Sequence, residues 1–177
     1  MAVDTLPRVG EETYHTKSPH LGASKVATYL KCPQMYYLQY VERRPAPKSA
    51  YAAVGTCIHK VVQMSHEGRW KPSHARKAAD VLADLWEQVR DTVDDPENPE
   101  IASRLSDAAN VWLPWYLSFI QRQQTIVTEE HWVLDCQGVT LEGTIDRIYR
   151  QDGQTVLSDV KSGKRKPSPA DLSRDAQ

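Results

Sequence analysis

Residues 157–164 read Leu-Ser-Asp-Val-Lys-Ser-Gly-Lys and set an acid, Asp159, two positions before a lysine, Lys161. A second acid, Asp146, lies upstream, and the turn dipeptide Asp152-Gly153 stands between the two acids. If that dipeptide makes a two-residue hairpin turn, Gln151 faces Gln154, Arg150 faces Thr155, and Asp146 comes directly across from Asp159. Directly opposed residues share a face with Cβ atoms about 4.5–5.5 Å apart, and like charges placed so destabilise the ladder. A divalent cation between the acids removes the conflict, and hard carboxylate oxygens suit Mg2+ or Mn2+. Lys161 falls on the same face as Asp159, where its ammonium would stand beside a metal-bound water. The alternative is a solvated strand face on which Asp146 pairs with Arg147 or Lys161. A one-residue slip of the turn would break the opposition altogether.

Two hairpins are needed to carry this chemistry. The segments from Thr125 to Cys136, from Val139 to Arg150 and from Gln154 to Lys161 are rich in β-branched and aromatic residues, and Gln137-Gly138 and Asp152-Gly153 separate them. They predict a three-stranded antiparallel meander. A turn at Gln137-Gly138 places Glu129 opposite Asp146 as a third carboxylate, and leaves Glu130 on the face of Trp132 and Leu134. The first half of the chain keeps helical spacing instead. A helix from an N-cap at Ser24 to Cys32 is expected, then a short one opened by Pro33. Residues 43–49 read as a linker. A helix from Tyr51 to about Gly68 presents Val54, Ile58, Val61 and Val62 on one stripe. Another follows Pro72-Ser73 with Ala78, Val81, Leu82, Leu85, Trp86 and Val89, and a last one covers about Ile101 to Arg122 with a kink at Pro114. Trp86, Trp112 and Trp115 are assigned to core packing. The class is therefore α+β: a helical N-terminal half followed by the meander.

Bulk properties bound the function. A chain of 177 residues supports one domain with a real core, here 21–177 after a flexible arm at 1–20. Charge is balanced, 22 Lys+Arg against 23 Asp+Glu, so only a local basic strip could hold nucleic acid. Cys32, Cys57 and Cys136 form no close-spaced pair, which argues against a disulfide framework and for a reducing, cytoplasmic setting. Neither a membrane-spanning run nor a signal-peptide core is visible.

The run GTIDRIYRQDGQTVLSDVKSGK, Gly143 to Lys164, resembles the core of the RecB-type nucleases of the PD-(D/E)XK superfamily, as found in AddB- and RecB-like and CRISPR-associated exonucleases. Their GxxD strand matches Gly143-x-x-Asp146, and their acid-x-lysine motif matches Asp159-Val160-Lys161. SKVATYLKCPQMYYLQYV, Ser24 to Val41, is similar to the segment that opens the family's domain, and Gly55-x-x-x-His59 resembles its histidine motif. The motifs stand in the family's order across residues 24–164. The resemblance implies a restriction-endonuclease-like core and a phosphodiester hydrolase acting on DNA, most readily on single-stranded ends, in recombination, repair or CRISPR-type DNA processing. It implies that His59, Asp146, Asp159 and the Val160 carbonyl bind Mg2+ or Mn2+, and that Lys161 positions the attacking water. An imidazole ligand tilts such a site toward Mn2+. A helicase or recombination protein is the implied partner. The other reading is a non-catalytic nucleic-acid-binding or structural module.

The sequence also departs from the family. Its relatives continue into a helix with a Q-x-x-x-Y motif and further strands, whereas here Asp171–Gln177 could only open that helix, with Gln177 as its glutamine. The expected core sheet is thus incomplete, and exposed Ile148 and Leu157 would favour a homodimer or weak activity. Some relatives hold an iron–sulfur cluster; Cys32 matches its first ligand, but three others have no counterpart, so no cluster is expected in this chain. Cys32 reads instead as a small buried hydrophobe. Past the site, Lys164, Arg165 and Lys166 continue a basic run that could clamp phosphates or form a solvated loop. Tyr36, Tyr37 and Tyr40 could stack on bases, or pack in the core.

Overall fold

Apolar residues recurring at helical spacing give the helices from Ala50 to Phe119 a common interior. The computed structural model describes residues 20–44 and 48–161. The candidate phosphate contacts Lys164, Arg165 and Lys166, the arm up to residue 19 and the segment Asp171–Gln177 lie outside the described residues. Two compact units emerge, one built from residues 20–44 with Glu130–Ile145, the other from residues 48–129 with 146–161. Their architecture is α+β, helices followed by an antiparallel sheet.

The second unit holds the main core. Helix α3 (Ala50–Glu67) buries Val54, Ile58, Val61 and Val62, and α4 (Ala75–Val89) buries Ala78, Leu82 and Trp86. These positions lie three, four or seven residues apart, so each set forms one stripe. Helices α5 (Pro99–Asp107) and α6 (Leu113–Phe119) add Ile101, Leu113, Tyr116 and Leu117. Each fully buried aliphatic side chain contributes about 1.5–3 kcal/mol. The expected kink at Pro114 takes a specific form. Between α5 and α6 the backbone widens into a π-helical turn, Ala108–Trp112, with Leu113 N–H bonded to the carbonyl of Ala108. A proline inside a helix lacks the donor for its fourth-preceding carbonyl and crowds it. A π turn opens the ladder where that crowding falls. Trp115 corrects its assignment to the core: it is 56% exposed, stacked on Phe119.

The expected linker contains a short strand. β1 (Lys48–Ser49) pairs in parallel with β2 (Val93–Asp94), and Asp94 Oδ1 accepts the N–H of Ala50 at 2.8 Å. That carboxylate caps α3, whereas Ser49, in the N-cap position, makes no side-chain cap.

In the first unit, α1 spans Ala23–Lys31 and α2 spans Pro33–Tyr36, continuing as a π-helical turn over Tyr37–Val41. The N-cap is Gly22 rather than Ser24. The cause is a neighbouring strand: Leu21 N–H donates to Thr140 and the Leu21 carbonyl accepts from Glu142, which holds the chain extended up to Gly22. Tyr36 packs edge-on to Tyr29 and tilted against Tyr40, while Tyr37 is exposed; Cys32 is half-buried rather than sealed. Gly143 has a local reason to be glycine, since a Cβ there would lie 2.7 Å from the Trp132 ring.

The meander forms as the period-two segments predict, in the order β3 (Gln124–Cys136), β4 (Val139–Gln151), β5 (Gln154–Ser158). Gln137 and Gly138, and again Asp152 and Gly153, have positive φ, as two-residue type I′ hairpin turns require. The second hairpin keeps the expected register, from Gln151↔Gln154 to Arg147↔Ser158. It then stops one residue early, so Asp146 and Asp159 are not ladder partners. Leu157 is 65% exposed, and Ile148 is half-buried rather than exposed. Among the described residues no helix is long and apolar enough to cross a membrane.

The cap assignment makes a prediction. Asp94→Ala should lower stability by about 1 kcal/mol, and Ser49→Ala by less than about 0.5 kcal/mol. Urea denaturation of the two variants distinguishes them.

Candidate functional site

Three elements of the second unit converge on one carboxylate. Helix α3 presents His59 one turn beyond Gly55, on the flank of its buried stripe. Strand β4 presents Asp146, and β3 presents Glu129. His59 Nδ1 lies 3.6 Å from Asp146 Oδ2, with side chains 32% and 13% exposed. One donor atom from each of His59, Glu129 and Asp146 can be chosen so that all lie within 4.8 Å of one another. Glu129 reaches the group through an unusual backbone: its φ is 50°, a left-handed conformation inside a strand. A single residue of this kind is how β-bulges re-aim a side chain. Burial, and then the negative charge of Asp146, raise the Glu129 carboxyl above its ordinary pKa, with His59 and Lys60 pulling the other way.

The acid-lysine motif sits against the same carboxylate in a different manner. The N–H of Val160 donates to Asp146 Oδ2 at 2.6 Å, and Val160 itself is buried in the helical core. Its neighbours Asp159 and Lys161 point to solvent and pair with each other at 2.9 Å. Of the residues singled out from the sequence, the structure therefore gathers His59, Asp146 and Glu129, anchors Asp146 on the amide of Val160, and sets Asp159 with Lys161 beside that amide. The reason for the altered position of Asp159 is the Val160 bond, which takes the chain out of the ladder after Ser158.

The donor set fits a divalent ion. Two carboxylates and an imidazole are oxygen and nitrogen donors of the kind Mg2+ and Mn2+ accept. His59, Glu129 and Asp146 would hold such an ion, which would lend its charge to offset the repulsion between the two carboxylates.

Beside the site lies a network that the sequence reading missed. Arg147 was considered there as a surface partner for Asp146, but it is 1% exposed. Its guanidinium donates to Gln123 Oε1 and to Thr125 Oγ1, and lies 4.4 Å over the Tyr149 ring. His66, seven residues along α3 from His59, is 3.2 Å from the Tyr116 hydroxyl and 3.4 Å from Thr125 Oγ1. The only sequence signal was strand alternation, which puts Arg147 and Tyr149 on one face.

The family model of the PD-(D/E)XK nuclease superfamily matches residues 20–177. Comparison with curated proteins and with solved structures finds no match.

His66 provides a pH prediction. Burial, and secondarily the charge of Arg147, lower its pKa from 6.5 to about 4. The unfolded chain therefore binds a proton that the folded chain refuses, so stability should fall as pH drops from about 6.5 to about 4 and level off below. A shift of this size corresponds to at most roughly 3 kcal/mol. His66→Gln should flatten that part of the stability–pH curve in urea titrations; an unchanged slope would show that the imidazole is not its source.

Proposed function

Because the chain belongs to the PD-(D/E)XK nuclease superfamily, we propose that it is a metal-dependent deoxyribonuclease whose centre is built on Asp146. The observation that carries this reading is the convergence of His59, Glu129 and Asp146 from a helix and two strands, with the acid-x-lysine motif attached to the same carboxylate through Val160. His59, Glu129 and Asp146 would hold Mg2+ or Mn2+, with Asp159 and the Val160 carbonyl as the further ligands that the resemblance implies. When bound, such an ion lowers the pKa of a coordinated water and offsets charge building on the phosphate. Lys161 supplies an ammonium near the reacting phosphate, held by Asp159 in the structure at 2.9 Å. His59 faces the Asp146 carboxylate at 3.6 Å from the helix side, and the Val160 amide fixes it from the chain side.

The substrate in this reading is DNA, attacked without sequence preference and most readily at single-stranded ends. Lys164, Arg165 and Lys166 follow directly after the motif and would grip phosphates on the substrate path. Work in recombination, repair or CRISPR-type DNA processing, beside a helicase or recombination protein, suits such an activity. One observation favours the second reading, a non-catalytic nucleic-acid-binding module: Asp159 is turned to Lys161 and not to the three-residue group.

Degradation of end-labelled single-stranded DNA, duplex DNA and RNA, with Mn2+, Mg2+ or chelator, separates the two. The nuclease reading expects metal-dependent loss of labelled single-stranded DNA. Asp146→Asn should abolish it, and Lys161→Ala should slow it by roughly 100- to 1,000-fold. DNA binding without metal-dependent cleavage would establish the module instead.

A further inference from the structure

Arg147 is the largest side chain among those almost wholly withdrawn from solvent, and it follows Asp146 in the chain. Its hydrogen-bond partners are neutral. They are Gln123 Oε1 and Thr125 Oγ1, the latter at 3.2 and 2.8 Å, with the Tyr149 ring stacked below. Among the described residues, no carboxylate forms an ion pair with it. Burying a cation without a counter-ion costs several kcal/mol, and a well-packed apolar replacement is often neutral or stabilising. Stability alone therefore does not account for a guanidinium here.

What the guanidinium does is join elements. Gln123 immediately precedes β3 and Thr125 lies at its start, and β3 is the strand that carries Glu129. Arg147 itself lies on β4, next to Asp146. Thr125 Oγ1 also touches His66, and His66 meets Tyr116. His66 and His59 are seven residues apart on α3, two turns, and so project from the same face. The planar fork thus fastens β4 to the chain entering β3, and Thr125 and His66 carry the link on to α3, so one network touches the three elements that deliver Glu129, Asp146 and His59. A fork of five fixed donors can do this where a single ammonium cannot.

We propose that Arg147 is a positioning residue for the metal centre: it holds α3, β3 and β4 at the spacing that lets His59, Glu129 and Asp146 meet one ion. This rests on the reading of those three residues as metal ligands.

Mn2+ affinity, measured on the full chain by calorimetry or by the electron paramagnetic resonance of free Mn2+, tests it. Thr125→Val removes the hydroxyl that takes two of the guanidinium bonds and keeps the side-chain shape. Arg147→Met removes the fork, and Arg147→Lys keeps only the charge. Leu82→Ala, in the buried stripe of α4, serves as a control that lowers stability without touching the network. Thr125→Val and Arg147→Met should weaken Mn2+ binding by roughly 10- to 100-fold, the usual effect of removing a residue that orients metal ligands. Arg147→Lys should not restore it, and Leu82→Ala should leave it unchanged while lowering the Tm. Should Arg147→Met fail to fold, Thr125→Val decides alone. Wild-type affinity in the folded variants, or an equal loss in Leu82→Ala, overturns the role of Arg147. Absence of Mn2+ binding by the wild-type chain sinks the metal-site reading itself, and this inference with it.

Discussion

The carboxylate of Asp146 accepts the amide proton of Val160 and faces the imidazole of His59 on the same oxygen. His59, Glu129 and the acid-lysine motif are grouped around that carboxylate. Val160 is tied into the helical core, so the amide is a fixed donor; His59 rides on a helix with a buried stripe, so its ring is a fixed neighbour. A hydrogen bond from a backbone amide to an ionised carboxylate is among the stronger kinds available. It also decides the local course of the chain, because forming it draws residues 159–161 out of the β ladder.

A second constraint is electrostatic. Glu129 is brought close to Asp146 in a half-buried place, where desolvation and the charge of Asp146 raise the Glu129 carboxyl above its ordinary pKa. Groups held in such opposition are often found where a protein binds or reacts, although structural networks produce them too. The guanidinium of Arg147 lies next in the chain but directs its donors to neutral oxygens. The second unit thus places paired acids and a hidden cation side by side, with His66 excluded from protonation near neutral pH by the same burial.

Much of this was legible in the residues. The Asp152-Gly153 turn fixed the β4–β5 register because its two positive-φ positions admit few alternatives, and the helical stripes of α3 and α4 followed from spacing alone. The motifs single out His59 and Asp146, and the two side chains lie together. What escaped depends on contacts between distant segments. The cap of α3 comes from Asp94, far along the chain, and the N-cap at Gly22 depends on a bridge to β4. Trp115 has the spacing of a core residue but falls on the outer side once the π turn before Pro114 rotates the helix. Register arithmetic put Glu129 beside Asp146 but could not foresee the left-handed backbone, and nothing local tells a buried arginine from an exposed one.

That backbone has a consequence of its own. A non-glycine residue at φ 50° inside a strand carries a penalty of order 1–3 kcal/mol. Glycine would sit there without it, and asparagine nearly so, yet neither brings a carboxylate. Selection for robustness and selection for the acid thus pull this one position in opposite directions. A library screened only for heat resistance would be drawn to erase Glu129, and the sturdier proteins it returned would lack the carboxylate beside Asp146.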